Sequence, residues 1–216
     1  MGSEKTILGI DTATPALVLG VGDSSGLQAS HFSIIGRNHL ELSIDLIKEI
    51  LEKAEVDLKD ISAITCGLGP GSLIGSRVGV VIAKTLAQVL KVPIIGISTV
   101  DIIAASDHYG GLKIVAVDAL RDEVYWAIYD NGARIGEQKV SSVEDMTEEL
   151  AGKKAVINGT AISKYGRFLN SISNLVVGKT LYPAPQALVS LGLDHLSNDK
   201  VSNLYDLEPL YLRSPV

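Results

Sequence analysis

Apolar residues in the first part of the chain fall into three short runs, Ile7 to Ile10, Leu17 to Val21 and Leu27 to Ile35. Thr14-Pro15 and Gly22-Asp23-Ser24-Ser25-Gly26 separate them, and both are turn chemistry, so the pattern predicts a meander of three strands. From about Asn38 the period becomes helical. The Asn38 side chain can cap the free amides while Glu41 completes the box, and the helix should run to about Ala54. Ile61 to Cys66 reads as a buried strand, Ser72 to Leu90 as a long apolar helix, and Ile94 to Ile97 as a strand after Val92-Pro93. The order repeats from Leu112. Lys113 to Val117 is a strand, and Val124 to Tyr129 with Arg134 to Val140 form a hairpin across Asn131-Gly132. A helix then starts near Ser142, followed by a strand at Ala155 to Ile157, a helix around Ile162 to Leu169, a strand at Leu175 to Val177 and a helix from Pro185 to Leu196. Both halves read βββαβαβ.

In each half the first strand ends in an aspartate, Asp11 after Ile7-Leu8-Gly9-Ile10 and Asp118 after Ile114-Val115-Ala116-Val117. A duplicated meander with crossover helices resembles the two ribonuclease-H-like halves of the actin-like ATPase (sugar kinase and actin) superfamily. The expected fold is therefore α/β, with a mixed sheet in each half. Residues 1–105 form the first half and 106–216 the second, whose last helix and tail are free to return to the first. In that superfamily two aspartate-tipped hairpins hold nucleotide phosphates, which makes Asp11, Thr12 and Asp118 candidates for a vestigial nucleotide site. A carboxylate capping its own turn is the simpler reading, because no lysine, arginine or second acid at nearby spacing completes a phosphoryl-transfer site.

Composition narrows the function. The chain of 216 residues is 46% apolar, long enough for one large domain or two small ones. Nineteen Lys and Arg against 25 Asp and Glu give a net charge of −6, so no overall positive field gathers nucleic acid unaided. The single cysteine, Cys66, can form neither an internal disulfide nor a thiolate metal cluster. No apolar run approaches the roughly 18 residues of a membrane helix, and Met1 to Thr6 does not read as a leader, so a cytoplasmic protein without a membrane association is expected.

Gly67-Leu68-Gly69-Pro70-Gly71-Ser72 opens the second long helix, where free amides could receive an anion. It matches neither specific version. Gly75 is followed by Ser76 and Arg77 instead of the P-loop lysine, and a dinucleotide fingerprint starting at Gly67 would need glycine at Ser72. Gly71, Gly75, Gly79 and Ala83 recur every four residues, and such a stripe lets another backbone approach closely. On the first helix, Leu40, Ile44, Ile47, Leu51 and Ala54 cluster about one direction with Leu42, Leu46 and Ile50 on the adjoining flank. That apolar arc of roughly 200° exceeds what one core needs. Either the neighbouring helix, Ser72 to Leu90, covers the surplus, or the two helices form a bundle between subunits, and in that case Leu42, Leu46, Ile50, Gly75, Gly79 and Ala83 are expected at the interface. Tyr125, Trp126 and Tyr129 alternate on a strand and read as packing.

Several ordered motifs resemble the TsaB (YeaZ) family, the bacterial paralogues of the TsaD/Kae-type proteins. They are Ile7-Leu8-Gly9-Ile10-Asp11-Thr12-Ala13-Thr14, Arg37-Asn38-His39, and Gly69-Pro70-Gly71-Ser72 with Gly75, Arg77 and Gly79. Pro93 to Thr99, Asp118-Ala119 with Glu123-Val124-Tyr125-Trp126, and Pro209-Leu210-Tyr211-Leu212-Arg213 also fit. Leu73-Ile74 depart from the family's Phe-Thr, Ser76 replaces an apolar residue, and Leu120-Arg121-Asp122 stand before Glu123. The resemblance implies a part in making threonylcarbamoyladenosine beside the anticodon of tRNA. It implies a scaffold role beside a catalytic TsaD-type paralogue and a TsaE-type ATPase, with tRNA met only through the complex and a homodimer open to the chain when the partner is absent. TsaD holds its metal through a His-x-x-x-His pair, whose positions fall here on Thr99 and Ile103. No imidazole stands at either, so the resemblance implies no metal, no cofactor and no catalytic residue. The rival readings are a nucleotide-dependent kinase or ATPase of the same superfamily and a metalloprotease.

Overall fold

A computed structural model describes residues 5–36 and 39–212; Arg37, Asn38 with its predicted cap, the His39 side chain and Arg213 lie outside the described residues. The first meander is β1 (Thr6–Asp11), β2 (Ala16–Asp23) and β3 (Gly26–Ile34), followed by helix α1 (His39–Lys53) and a short 3-10 turn at Leu58–Asp60. Strand β4 (Ile61–Gly67), helix α2 (Leu73–Leu90), strand β5 (Ile94–Ile97) and helix α3 (Thr99–Ala105) complete this part. The second meander is β6 (Leu112–Asp118), β7 (Glu123–Asp130) and β8 (Ala133–Ser142), followed by α4 (Val143–Glu149), β9 (Ala155–Asn158), α5 (Ala161–Ser171), β10 (Leu175–Val177) and α6 (Pro185–Ser197). The α3 helix, only seven residues long, is absent from the sequence-based prediction.

The two sheets run β3-β2-β1-β4-β5 and β10-β9-β6-β7-β8, so the second repeats the order of the first. In each, the meander is antiparallel and the last two strands are parallel. This is the expected α/β pair of ribonuclease-H-like halves. The β7–β8 hairpin turns at Asn131 and Gly132 with φ of 48° and 84°, the left-handed pair that a two-residue turn of matching twist demands.

Alternation on the first sheet sends Leu8, Ile10, Leu17, Leu19, Ile64 and Cys66 to one face, under Ile47, Ile50 and Leu51 of α1 and Val80 and Ala83 of α2. Ile7, Val18, Ala63 and Ile95 point to the other, against Ala187, Leu188 and Leu196 of α6. Gly9 and Gly20 let α6 lie close, since a Cβ on either would stand within 3 Å of Leu188 or Val189. On the second sheet Ile114, Ala116 and Trp126 pack with Val143 and Met146 of α4 and with Leu150 just after it, and Val115, Val117 and Tyr129 pack with Val100, Ile103 and Ala104 of α3. Helices α3 and α6 thus form the layer between the sheets. Residues beyond α6 run back along the first sheet. Ser202 bridges to Ile94, Leu207 joins the first core, and Lys84 Nζ donates to the carbonyls of Tyr205 and Leu207.

Helix α2, with 18 residues and a mean hydropathy of 1.5, is long and apolar enough to cross a membrane by length and composition. The sequence expectation of no such segment is corrected on that point. Arg77 and Lys84 lie within it, and its inner face is part of the first core, which accounts for the apolar content in a helix lying on a sheet.

Candidate functional site

Asp11 ends β1 and is completely buried. Its Oδ1 accepts from the Ala13 backbone N–H at 2.9 Å, capping its own turn, and its Oδ2 accepts from the Thr99 hydroxyl at 2.8 Å. Burial pushes its carboxyl up from 3.8 to about 6, against the lowering effect of the Ala13 and Thr99 hydrogen bonds. The carboxylate fills its space, since a Cβ on Gly67 would lie 1.8 Å from Oδ2. Next to it, burial and then the Asp11 charge push the Cys66 thiol up to about 12, leaving it a neutral core side chain.

The glycine loop is seated on the same turn. Ser72 N–H donates to Ala13 O at 2.7 Å, the Thr12 hydroxyl donates to Gly75 O at 2.6 Å, and the Ser72 hydroxyl caps α2 by accepting from Gly75 N–H at 3.1 Å. Thr99 closes the circuit from α3, accepting from Gly69 N–H at 3.0 Å and donating its own N–H to Gly69 O at 2.7 Å. The small-residue stripe therefore has an occupant. A Cβ added at Gly71 would lie 2.1 Å from Ala13 O, at Gly75 2.1 Å from Thr12 O, and at Gly79 2.5 Å from Thr12 Oγ1. Ala83 is fully buried in the first core. The expectation that Gly75, Gly79 and Ala83 receive a partner helix is overturned, because the tip of the first hairpin takes the close approach they offer.

Helix α1 needs a related correction. It is rotated by roughly 40° from the predicted direction, so that Ser43, Ile47, Ile50 and Leu51 face inward. Ile50 is 1% exposed, and Leu46 packs against the core, so neither is an outward contact. Leu42 is exposed as expected, and Leu40 and Ile44, placed on the core side by the sequence, are exposed as well. On α2 the outward residues are Ile74, Val81 and Val89, at 72%, 60% and 71% exposure. The helical period brings Ile74, Val81 and Thr85 within about 40° of one line. Sequence reasoning missed these three apolar residues because α2 is apolar nearly all round, so periodicity does not separate its two faces.

Asp118, at the corresponding end of β6, accepts from Leu120 N–H at 3.1 Å and so caps its own turn, while its own N–H donates to Thr160 Oγ1 at 3.1 Å. No hydrogen bond or ion pair joins Asp11 to Asp118 among the described residues. Leu120, Arg121 and Asp122 follow it with φ of 60°, 51° and 60°. Three successive left-handed residues without a glycine are costly, and the Asp122 ion pair with Lys164 at 2.9 Å and the Ala119 N–H bond to Glu123 O brace the turn. Ile103 is fully buried among Val100, Val115 and Val117, and Thr99 is committed to Asp11 and Gly69. Among the described residues no three His, Cys, Asp or Glu side chains are grouped to hold a metal ion. Trp126 and Tyr129 are both buried, with indole N–H donated to Ser141 Oγ and phenol O–H to Asp101, and so offer no stacking platform.

Comparison with known proteins identifies the family. A family model described as TsaD, tRNA N6-adenosine threonylcarbamoyltransferase, matches residues 33–182. The chain is 33% identical to the tRNA threonylcarbamoyladenosine biosynthesis protein TsaB of Escherichia coli, over 97% of this chain and 95% of that protein. It is also 33% identical to TsaB of Bacillus subtilis, over 96% and 94%. The solved structure of YeaZ from Pseudomonas aeruginosa superposes with a TM-score of 0.83 at 25% identity, covering 96% of this chain and all of that one. Matching relatives over nearly their whole length, the chain belongs to the TsaB (YeaZ) family of tRNA threonylcarbamoyladenosine biosynthesis proteins.

Proposed function

We propose that the chain is a non-catalytic subunit in tRNA threonylcarbamoyladenosine biosynthesis. It acts in the cytoplasm by pairing with a TsaD-type paralogue that performs the transfer, with a TsaE-type ATPase in the same assembly and tRNA reached only through the complex. The observation that carries this reading is the state of Asp11. The aspartate in the superfamily's phosphate-facing position is sealed from solvent, accepts from Ala13 and Thr99 with one oxygen each, and packs closely on Gly67. Asp118, half-buried, turns one oxygen to its own turn, and both observations support a structural use of these aspartates.

What remains outward is apolar. Leu40 and Ile44, which share one side of α1, and Ile74, Val81 and Val89 on α2 are the exposed apolar residues we assign to the partner, and a second copy of the chain can cover them when the partner is absent. Full burial of an exposed side chain of this kind gains about 1.5–3 kcal/mol, and these partly covered ones gain the corresponding fraction. The division at about residue 105 then gives the first half the docking helices and the second half the role of a rigid body behind them.

Val81→Asp tests the reading, because a charge left unpaired in a desolvated interface costs several kcal/mol of association while an outward position spares the fold. The expected result is loss of co-purification with the TsaD-type partner and of threonylcarbamoyl transfer in the reconstituted system, with an unchanged melting temperature. Retained binding, or turnover of Mg-ATP by the isolated chain, overturns it.

A further inference from the structure

The segment from Ser98 to Asp107, containing α3, is bonded outward at each of its polar side chains. At its start Ser98 Oγ donates to Gly69 O at 3.1 Å and accepts from Gln138 Nε2 of β8 at 2.7 Å, while Thr99 holds Asp11 and Gly69 of the first sheet's loops. In the middle Asp101 Oδ1 accepts from the buried Tyr129 hydroxyl of β7 at 2.7 Å, and Arg134 of β8 pairs with its Oδ2 at 3.2 Å. At its end Ser106 Oγ accepts from Ala184 N–H at 2.8 Å, and Asp107 Oδ2 accepts from Asn158 Nδ2 of β9 at 2.6 Å. The ammonium of Lys113 on β6, almost fully buried, donates to Ala104 O at 2.7 Å and to Asp107 O, meeting the negative end of the helix.

The apolar side chains divide in the same way. Ile102 packs into the cluster of the first sheet and α6, whereas Val100, Ile103 and Ala104 pack into that of β6 and β7. A seven-residue helix has little stability of its own, so these contacts, not helix propensity, hold it in place. Two sheets joined only by a loop would shift against each other by default. Here the intervening helix is tied to both.

We propose that α3 is a strut that fixes the two sheets at a single relative setting, so that they do not move against each other about a hinge. Bonds to both halves run along its length: the Thr99 hydroxyl faces the first half, the Asp101 carboxylate and the carbonyls taken by Lys113 face the second, and Ser98 holds Gly69 on one side and Gln138 on the other. Removing the Thr99 hydroxyl cuts a bond to the first half, and removing the Tyr129 hydroxyl cuts one to the second, which loosens the setting while leaving each sheet intact. This does not depend on which partner covers α1 and α2.

The test places nitroxide labels at Ser25→Cys in the β2–β3 turn and Ala133→Cys at the start of β8, with buried Cys66 left unlabelled, and measures the distance distribution by pulsed electron resonance. The otherwise unaltered chain should give one narrow distribution, unchanged by millimolar Mg-ATP. Thr99→Val with Tyr129→Phe, both close in shape to the originals, should broaden or split it. A broad distribution in the starting protein, or a narrow one unchanged in the double variant, overturns the proposal. Should the double variant not fold, Tyr129→Phe alone is read by amide exchange. Exchange at 98–107 faster by about tenfold or more supports the strut, and unchanged exchange there overturns it.

Discussion

Asp11→Asn isolates the energetic consequence of sealing a carboxylate in the core. In the native state the carboxyl titrates at about 6, above its ordinary 3.8, because burial outweighs the hydrogen bonds from Ala13 and Thr99. Between those two values the native state binds more protons than the unfolded one, so this group's contribution to stability falls as pH rises through the window and is lowest above about pH 6. The gap of about 2.2 units corresponds to about 3 kcal/mol, of which about 2 kcal/mol falls between pH 4 and 7. Asparagine removes the titration and keeps an oxygen for Ala13 N–H. Its amide must then donate to Thr99 Oγ1, which also receives Gly69 N–H, so the threonine proton loses its acceptor at a cost of about 1–3 kcal/mol. The two effects offset each other near pH 7, where Asp11→Asn should be neutral to about 2 kcal/mol more stable, whereas at pH 4 it should be the less stable protein. Urea unfolding of both proteins from pH 4 to 8 reads this directly, since every other carboxylate cancels in the difference. A difference constant to within about 0.5 kcal/mol across that range would refute the account of Asp11 as a charge buried without a counterion.

Leu46→Asp is the control for the docking face: packed against the first core, it should lower the melting temperature sharply, unlike Val81→Asp, and calorimetry on the two variants separates core from surface. Gly75→Ala sets two effects against each other. Helix propensity favours alanine by about 1 kcal/mol, but a Cβ 2.1 Å from Thr12 O forces α2 off the hairpin, so net destabilisation of about 1–3 kcal/mol is expected in chemical unfolding. With a net charge of −6, the isolated chain should bind tRNA only in the non-specific range of roughly 10⁻⁴ to 10⁻⁶ M at physiological salt, and tight binding in a filter assay would count against a subunit that meets tRNA through its complex.

Strand order was legible because alternation and turn chemistry are local. The meanders, the Asn131-Gly132 turn, the helix starts near Ser72 and Ser142 and the start of α6 at Pro185 all stand where the residues place them. Helix α3 was not legible, since Thr99–Ala105 is too short to show a period and five of its seven residues are buried on facing clusters. The core side of α1 was misjudged for a different reason. Leu40 and Ile44 extend the apolar stripe numerically, but Ser43 turns inward and is fully buried, so the polarity of single residues misreports the face.

The small-residue stripe of α2 shows how far a sequence pattern can be taken at a site. Four small residues at a period of four require that something approach the helix closely, and that inference holds. They do not say whether the approaching backbone belongs to another subunit or to the same chain. The deciding information lies some sixty residues away, in Asp11-Thr12-Ala13, where a carboxylate caps its own turn and so presents the Thr12 and Ala13 carbonyls to the glycines. The two motifs most suggestive of nucleotide binding, an aspartate-tipped hairpin and a glycine-rich loop opening a helix, are consequently used on each other. Once they are joined, the anion-receiving amide of Gly75 belongs to Ser72 and that of Gly69 to Thr99. A site that keeps its letters can thus be satisfied by internal contacts, and what those contacts fix is the position of α2 on the first hairpin.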